Sequence, residues 1–199
     1  MMNSTPARAD DRAPVLFGLS APPRHGKTSA VCALAEALRR QGVDVSGVAQ
    51  PARTRFLEGK EEVLGYDLLD LLNEESVPFA QRVPPGEGEV GRMRFRLDPK
   101  GMAWAAERIL QPAEVTFVDE LGWVEAEGGG HMPALLEALQ QRHQKILVLA
   151  FRPALNDVFA ERLAAFNDGF TEVWTPAPRH GQRMQEGWVG RILDVLEGR

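Results

Sequence analysis

The stretch Ala21-Pro22-Pro23-Arg24-His25-Gly26-Lys27-Thr28 constrains this chain more than any other. An apolar run, 15–19, precedes it and reads as a short buried strand; an amphipathic run, 29–40, follows it and reads as a helix. A strand, then A/G-x-x-x-x-G-K-T, then a helix is the phosphate-binding P-loop. Successive backbone N–H groups turn inward to hold phosphate oxygens, and the helix N-terminus adds partial positive charge. Lys27 can set an ammonium against the β- and γ-phosphates, and Thr28 can offer a hydroxyl to Mg²⁺. Gly26 lets the backbone approach without a Cβ in the way. Ala21 stands where Gly is commoner, which a negative φ tolerates. The candidate nucleotide-binding residues are Ala21, Pro22, Pro23, Arg24, His25, Gly26, Lys27, Thr28 and Ser29. The side chains of Arg24 and His25 read as a solvated loop face.

The helix after the loop repeats Val31, Leu34, Ala35 and Leu38 on one face, and Arg39, Arg40, Gln41 and Gly42 make a basic last turn with a glycine stop. Residues 43–49 alternate as a second strand. Strand, helix and strand within about 35 residues make a βαβ unit, hence parallel pairing and a right-handed crossover.

The chain's 199 residues suffice for one core. A net charge of −5 argues against nonspecific nucleic-acid binding, which uses a basic face. With one cysteine, Cys32, no intramolecular disulfide forms, and Cys32 reads as a small core residue. No run approaches the ~18 apolar residues of a membrane span. Residues 1–13 lack the apolar segment of a secretory signal and read as a flexible leader, so a cytoplasmic location follows by default. Residues 14–199 read as a single domain.

Residues 50–97 differ in character and read as an antiparallel insertion on one edge of the main sheet. Within it 63–71 and 76–83 read as strands, 84–89 as a turn-rich loop, and 92–97 as a strand with Arg92, Arg94 and Arg96 on one face. Those arginines favour protection against edge-to-edge pairing over a second anion site. Asp98-Pro99 starts a helix carrying Met102, Ala105, Ala106, Ile109 and Leu110. The remaining chain reads as strand 115–118, a flexible 128–130, helix 133–142, strand 145–151, helix 153–166, strand 171–174 and helix 187–196. The expected fold is a three-layer α/β sandwich with a mostly parallel sheet.

The strand 115–118 ends in Asp119-Glu120. After a P-loop, an acid at that position faces the crevice at the sheet's carboxyl edge. Asp119 is the candidate second Mg²⁺-side residue beside Thr28, and Glu120 the candidate general base for water. Arg152 follows the most apolar strand. It reads equally as a sensor or arginine finger near the γ-phosphate and as an ion-pair partner of a neighbouring carboxylate. His131, His143 and His180 lack metal-ligand spacing. Trp104, Trp123, Trp174 and Trp188 read as core or partly buried, with Trp123 the one placed to stack on a base or gate the site.

The segment Val118-Asp119-Glu120-Leu121-Gly122-Trp123-Val124-Glu125 resembles the hydrophobic-Asp-Glu-hydrophobic-Gly-x-hydrophobic-Glu signature of the small THEP-type nucleoside-triphosphatases. These P-loop proteins of about this size are related in fold to nucleotide kinases and AAA-type ATPases. The resemblance covers nearly the whole chain after the leader, including 22–28, the Gly-containing strand 45–49 and, loosely, Gly65-Tyr66-Asp67-Leu68. Three features depart from the pattern. Trp123-Val124 stands where the family has Lys-Met. Ala150-Phe151-Arg152 stands where small or hydroxyl residues are common, and the loops 84–89 and 128–130 match poorly.

The resemblance implies slow nucleotide hydrolysis with broad base tolerance. The expected function is Mg²⁺-dependent hydrolysis of a nucleoside triphosphate, ATP or GTP, with Lys27, Glu120 and Arg152 as candidate catalytic residues. One alternative is a kinase whose acceptor sits on 50–97, its charge bound by Arg53, Arg55 or the Arg92–Arg96 face. The other is a low-turnover adaptor resembling the GTP-binding proteins of molybdopterin cofactor synthesis, with a protein as partner.

Overall fold

The computed structural model describes residues 13–83, 95–166, 169–176 and 181–199. The strands are β1 (Val15–Ser20), β2 (Val45–Ala49), β3 (Ala52–Leu57), β4 (Lys60–Asp70), β5 (Ser76–Arg82), β6 (Phe95–Leu97), β7 (Ala113–Leu121), β8 (Gln144–Phe151) and β9 (Glu172–Trp174). The helices are α1 (Lys27–Arg40), α2 (Pro99–Leu110), α3 (Trp123–Ala126), α4 (Met132–Gln141), α5 (Asn156–Leu163) and α6 (Gly181–Leu196). One sheet runs β6-β5-β4-β2-β7-β8-β1-β9, with β3 paired to β4 alone. β2, β7, β8, β1 and β9 are parallel, and β3 to β6 pair antiparallel at one edge. This is the expected three-layer α/β fold with an antiparallel edge.

β1, β2 and the central parts of β7 and β8 are largely apolar because both faces are covered. In β8, Leu147, Leu149 and Phe151 face one core, shared with α2, α4 and α5. Ile146, Val148 and Ala150 face the other, shared with α1 and α6. In that second core Trp174 stacks between Phe17 and Trp188, at 4.6 and 5.2 Å between centroids. Gly47 lies in the middle of this packing with φ +98°, and a Cβ there would fall 2.0 Å from the Phe117 carbonyl oxygen. Glycine alone fits that close approach of β2 to its parallel neighbour β7.

Several elements differ from the sequence reading. α1 starts at Lys27, two residues early, because Gly26 adopts φ +84° and turns the chain straight into the helix. β3 was not expected; its six residues are all exposed, so no burial pattern marks it. Its signal was the two-residue turn Glu58-Gly59, both at positive φ, which closes the β3–β4 hairpin. The helix expected over 153–166 is a 3₁₀ turn, Pro153–Leu155, followed by the shorter α5. α6 begins six residues ahead of the expected 187. Of the predicted strand 92–97, Arg92 and Arg94 lie outside the described residues, as do the loop 84–89, His180 and residues 1–12; Phe95–Leu97 is a strand with Arg96 exposed. Cys32 is only half-buried, with burial pushing its thiol up to about 11. Trp123, expected in or near the core, is 52% exposed.

The register places the insertion over the carboxyl edge of the sheet. Ala49, the last residue of β2, pairs with Leu69, so the earlier part of β4 runs on past β2 with β3 and β5 beside it. That edge also carries the ends of β1, β7 and β8. Among the described residues no helix is long and apolar enough to cross a membrane.

Candidate active site

The loop between β1 and α1 reverses direction through Arg24 and Gly26, at φ 64° and 84°. Its start is tied to β8 by the Ala21 N–H donating to the Phe151 carbonyl at 3.4 Å, and His25 N–H closes a turn on the Pro22 carbonyl at 3.3 Å. Pro22, Pro23, Arg24, His25, Gly26 and Ser29 are exposed, Thr28 half-buried, and Lys27 buried. His25 is occupied locally, its Nδ1 lying 2.9 Å from the Pro23 carbonyl. The Lys27 ammonium donates to the Ala21 and Pro22 carbonyls at 3.0 and 3.4 Å, and stands 3.4 Å from Glu120 Oε2.

β7 delivers the two acids differently. Val118 pairs with Leu149 but Leu121 with Phe151, so β7 carries one extra residue between them. This bulge puts Glu120 at φ 56°, a left-handed conformation that costs a non-glycine residue of order 1 kcal/mol or more. Asp119 turns into the protein and is fully buried, whereas Glu120 turns to the crevice. There Glu120 bridges Lys27 and Arg152: Arg152 Nη2 and Nε donate to Oε1 at 3.0 and 3.2 Å. Of the two readings of Arg152, this structure holds the ion pair.

Burial pushes Asp119 from its ordinary 3.8 up to about 6, against the pull of the Gln50 N–H, the Thr28 hydroxyl and the Lys27 charge. Oδ2 accepts the Gln50 N–H at 3.0 Å, but the buried Oδ1 has no well-formed hydrogen bond among the described residues.

The family model described as NTPase matches residues 16–176. The chain belongs to this NTPase family. Two solved structures share its fold. A human cancer-related nucleoside triphosphatase superposes with a TM-score of 0.63 at 18% identity, covering 91% of this chain and 97% of that one. THEP1 from the hyperthermophile Aquifex aeolicus gives 0.55 at 13% identity, covering 90% and 98%. No curated protein sequence matches the chain.

Three features around the candidate site escaped the sequence reading. Tyr66, half-buried on the overhanging part of β4, is raised by burial and then by the Glu120 carboxylate, with Arg152 and Arg24 opposing; its ring therefore sits within the field of the crevice. The Ser20 hydroxyl donates to Asn156 Oδ1 at 2.9 Å, joining the end of β1 to the start of α5. Glu125 is buried behind the loop that follows β7. Glu125 had a signal as the last position of the acidic signature, and Tyr66 a looser one in Gly65-Tyr66-Asp67-Leu68; Asn156 had none and is brought in by packing alone.

The donor set fits a divalent cation. A buried, incompletely bonded Asp119 beside the Thr28 hydroxyl suits a hard, oxygen-seeking ion. Among the described residues no three His, Cys, Asp or Glu side chains gather as a metal site. Two protein oxygens agree with an ion whose other ligands are phosphates and water.

Proposed function

We propose that this NTPase hydrolyses nucleoside triphosphates to the diphosphate and phosphate with Mg²⁺, tolerating several bases. The observation that carries the reading is Glu120, a carboxylate turned to the crevice and held between the P-loop lysine and Arg152. Glu120 is oriented by two cationic groups at the place where a γ-phosphate would meet Lys27. From there it orients water and accepts its proton as the oxygen attacks. Pro22 and Pro23 carry no N–H, so backbone N–H groups from Arg24 to Thr28 bind the phosphates, and Lys27 leaves the Ala21 and Pro22 carbonyls to balance charge on the transferring group. Thr28 and Asp119 would hold Mg²⁺, which supplies charge neutralisation across the β- and γ-phosphates. Arg152 keeps Glu120 aligned and adds positive charge at the same edge.

The kinase alternative draws less support. Arg53, the acceptor-side candidate, pairs with Asp67 at 2.9 Å, and Arg55 with Glu62 at 2.7 Å, so both charges are engaged within the hairpin. The adaptor alternative rests on partner binding rather than turnover. A cytoplasmic setting belongs to the same proposal, and a chain with one cysteine, which forms no intramolecular disulfide, agrees with it.

The test is phosphate release from ATP, GTP, CTP and UTP with Mg²⁺, comparing wild type with Lys27→Ala and Glu120→Gln. Turnover on several nucleotides is expected, lost in both variants, with nucleotide binding retained in Glu120→Gln. Release no faster than from the variants refutes the hydrolase reading.

A further inference from the structure

Glu125 takes no part in the reaction just described, yet its surroundings are unusual. Its side chain is 6% exposed. Among the described residues no lysine or arginine pairs with it. Its partners are two backbone amides: Oε2 accepts the Gly122 N–H at 2.8 Å, and Oε1 the His131 N–H at 3.1 Å. His131 lends only that amide. Its imidazole stacks on Phe79 and is pulled down to about 4 by burial, so it stays neutral near pH 7. Burial raises the Glu125 carboxyl, with the Glu120 charge adding to it, while the amides of Gly122, His131 and Glu125 itself oppose it. The bond to Gly122 closes a capping box at the start of α3, while the bond to the His131 N–H reaches beyond that box to a separate helix.

What the two bonds hold is informative. Gly122 lies two residues after Glu120, and the intervening Leu121 is fully buried and paired with Phe151. His131 is the residue before α4, which packs on α2 in the core. The carboxylate therefore ties the exit of the β7 bulge to an anchored helix. Gly130 is shaped around it: a Cβ there would fall 1.7 Å from Oε1. The pairing of Leu121 with Phe151 sets the left-handed turn at Glu120, and the tie fixes its exit at Gly122; without it that exit is held only by the strand pairing, and the side chain would drift from Lys27 and Arg152.

We propose that Glu125 is the positioning residue for Glu120, clamping Gly122 and His131 so that the strained bulge aims the base at the phosphate site. This rests on the hydrolase reading above.

The experiment compares wild type with Glu125→Gln, Glu125→Ala and Gly130→Ala in the full chain. Gly130→Ala leaves the carboxylate in place chemically and displaces it by contact. Steady-state hydrolysis of ATP or GTP, binding of the same nucleotide, and hydrogen exchange across 119–122 are measured where all proteins are folded. A displacement of about 1 Å at a reacting group costs about 10²-fold. The expected result is a kcat reduced 10- to 100-fold, nucleotide affinity within about twofold of wild type, and faster exchange at 119–122, in both Glu125→Gln and Gly130→Ala. An unchanged kcat in folded variants overturns the proposal, even if their stability falls, and so does a loss carried wholly by nucleotide affinity. If Glu125→Ala fails to fold, the other two variants decide. If wild type itself releases no phosphate, the hydrolase reading fails, and the exchange data alone decide whether Glu125 holds the Glu120 turn.

Discussion

Replacing Asp119 by asparagine is expected to stabilise the nucleotide-free protein while removing its response to Mg²⁺. The folded state raises Asp119 from 3.8 to about 6. Between those values the folded protein binds the proton more tightly than the unfolded chain, so stability falls as pH rises through the window and levels off above it. Once both states are ionised, the buried charge costs about 3 kcal/mol. Asparagine removes that charge and keeps an acceptor for the Gln50 N–H. Its amide N–H, turned to where Oδ1 stood, is left short of a partner and costs about 1 kcal/mol. A net gain of about 2 kcal/mol corresponds to a thermal midpoint about 4–8 °C higher at pH 7–8. Thermal unfolding in EDTA at pH 4, 5, 6, 7 and 8 measures it. The gap between variant and wild type should be widest above pH 7 and close toward pH 4. Adding Mg²⁺ and nucleotide should raise the wild-type midpoint and leave the variant's nearly unchanged. A variant equal to or less stable than wild type at pH 7–8, or a gap independent of pH, would refute the argument that Asp119 is a buried, underbonded carboxylate.

Arg152→Ala frees one face of Glu120, and hydrolysis should fall by about 10-fold or more, with nucleotide binding little changed. A variant as active as wild type would show that Arg152 is only a surface ion pair. Gly47→Ala forces a Cβ onto the Phe117 carbonyl at positive φ and should cost more than ~2 kcal/mol in denaturant unfolding. A loss below ~0.5 kcal/mol would mean that β2 and β7 can separate freely there.

Much of this protein was legible because its signals are local. The spacing from Ala21 to Thr28, with a strand before and an amphipathic helix after, was sufficient for the phosphate loop. The apolar runs of β1, β7 and β8 announced strands covered on both faces, and Asp98-Pro99 announced α2. β3 was hidden because a fully exposed strand has no apolar alternation to read. Trp123 was misplaced because an aromatic at a helix start carries no mark of which way it faces.

The sequence by itself determined most of the alternation of strands and helices, the phosphate loop and the acidic pair at the end of β7. Hydrogen bonding and apolar periodicity act over a few neighbouring residues, so they are written in neighbouring residues. Tertiary structure alone decided which acid is buried and which faces the crevice, because that depends on a one-residue bulge set by the pairing of β7 with β8. It also decided that Arg152 meets Glu120, that β4 carries Tyr66 over the edge, and that Glu125 reaches the amide of His131. Each of these joins the ends of elements separated along the chain, and only the packing of the sheet and helices brings those ends within hydrogen-bonding or electrostatic range.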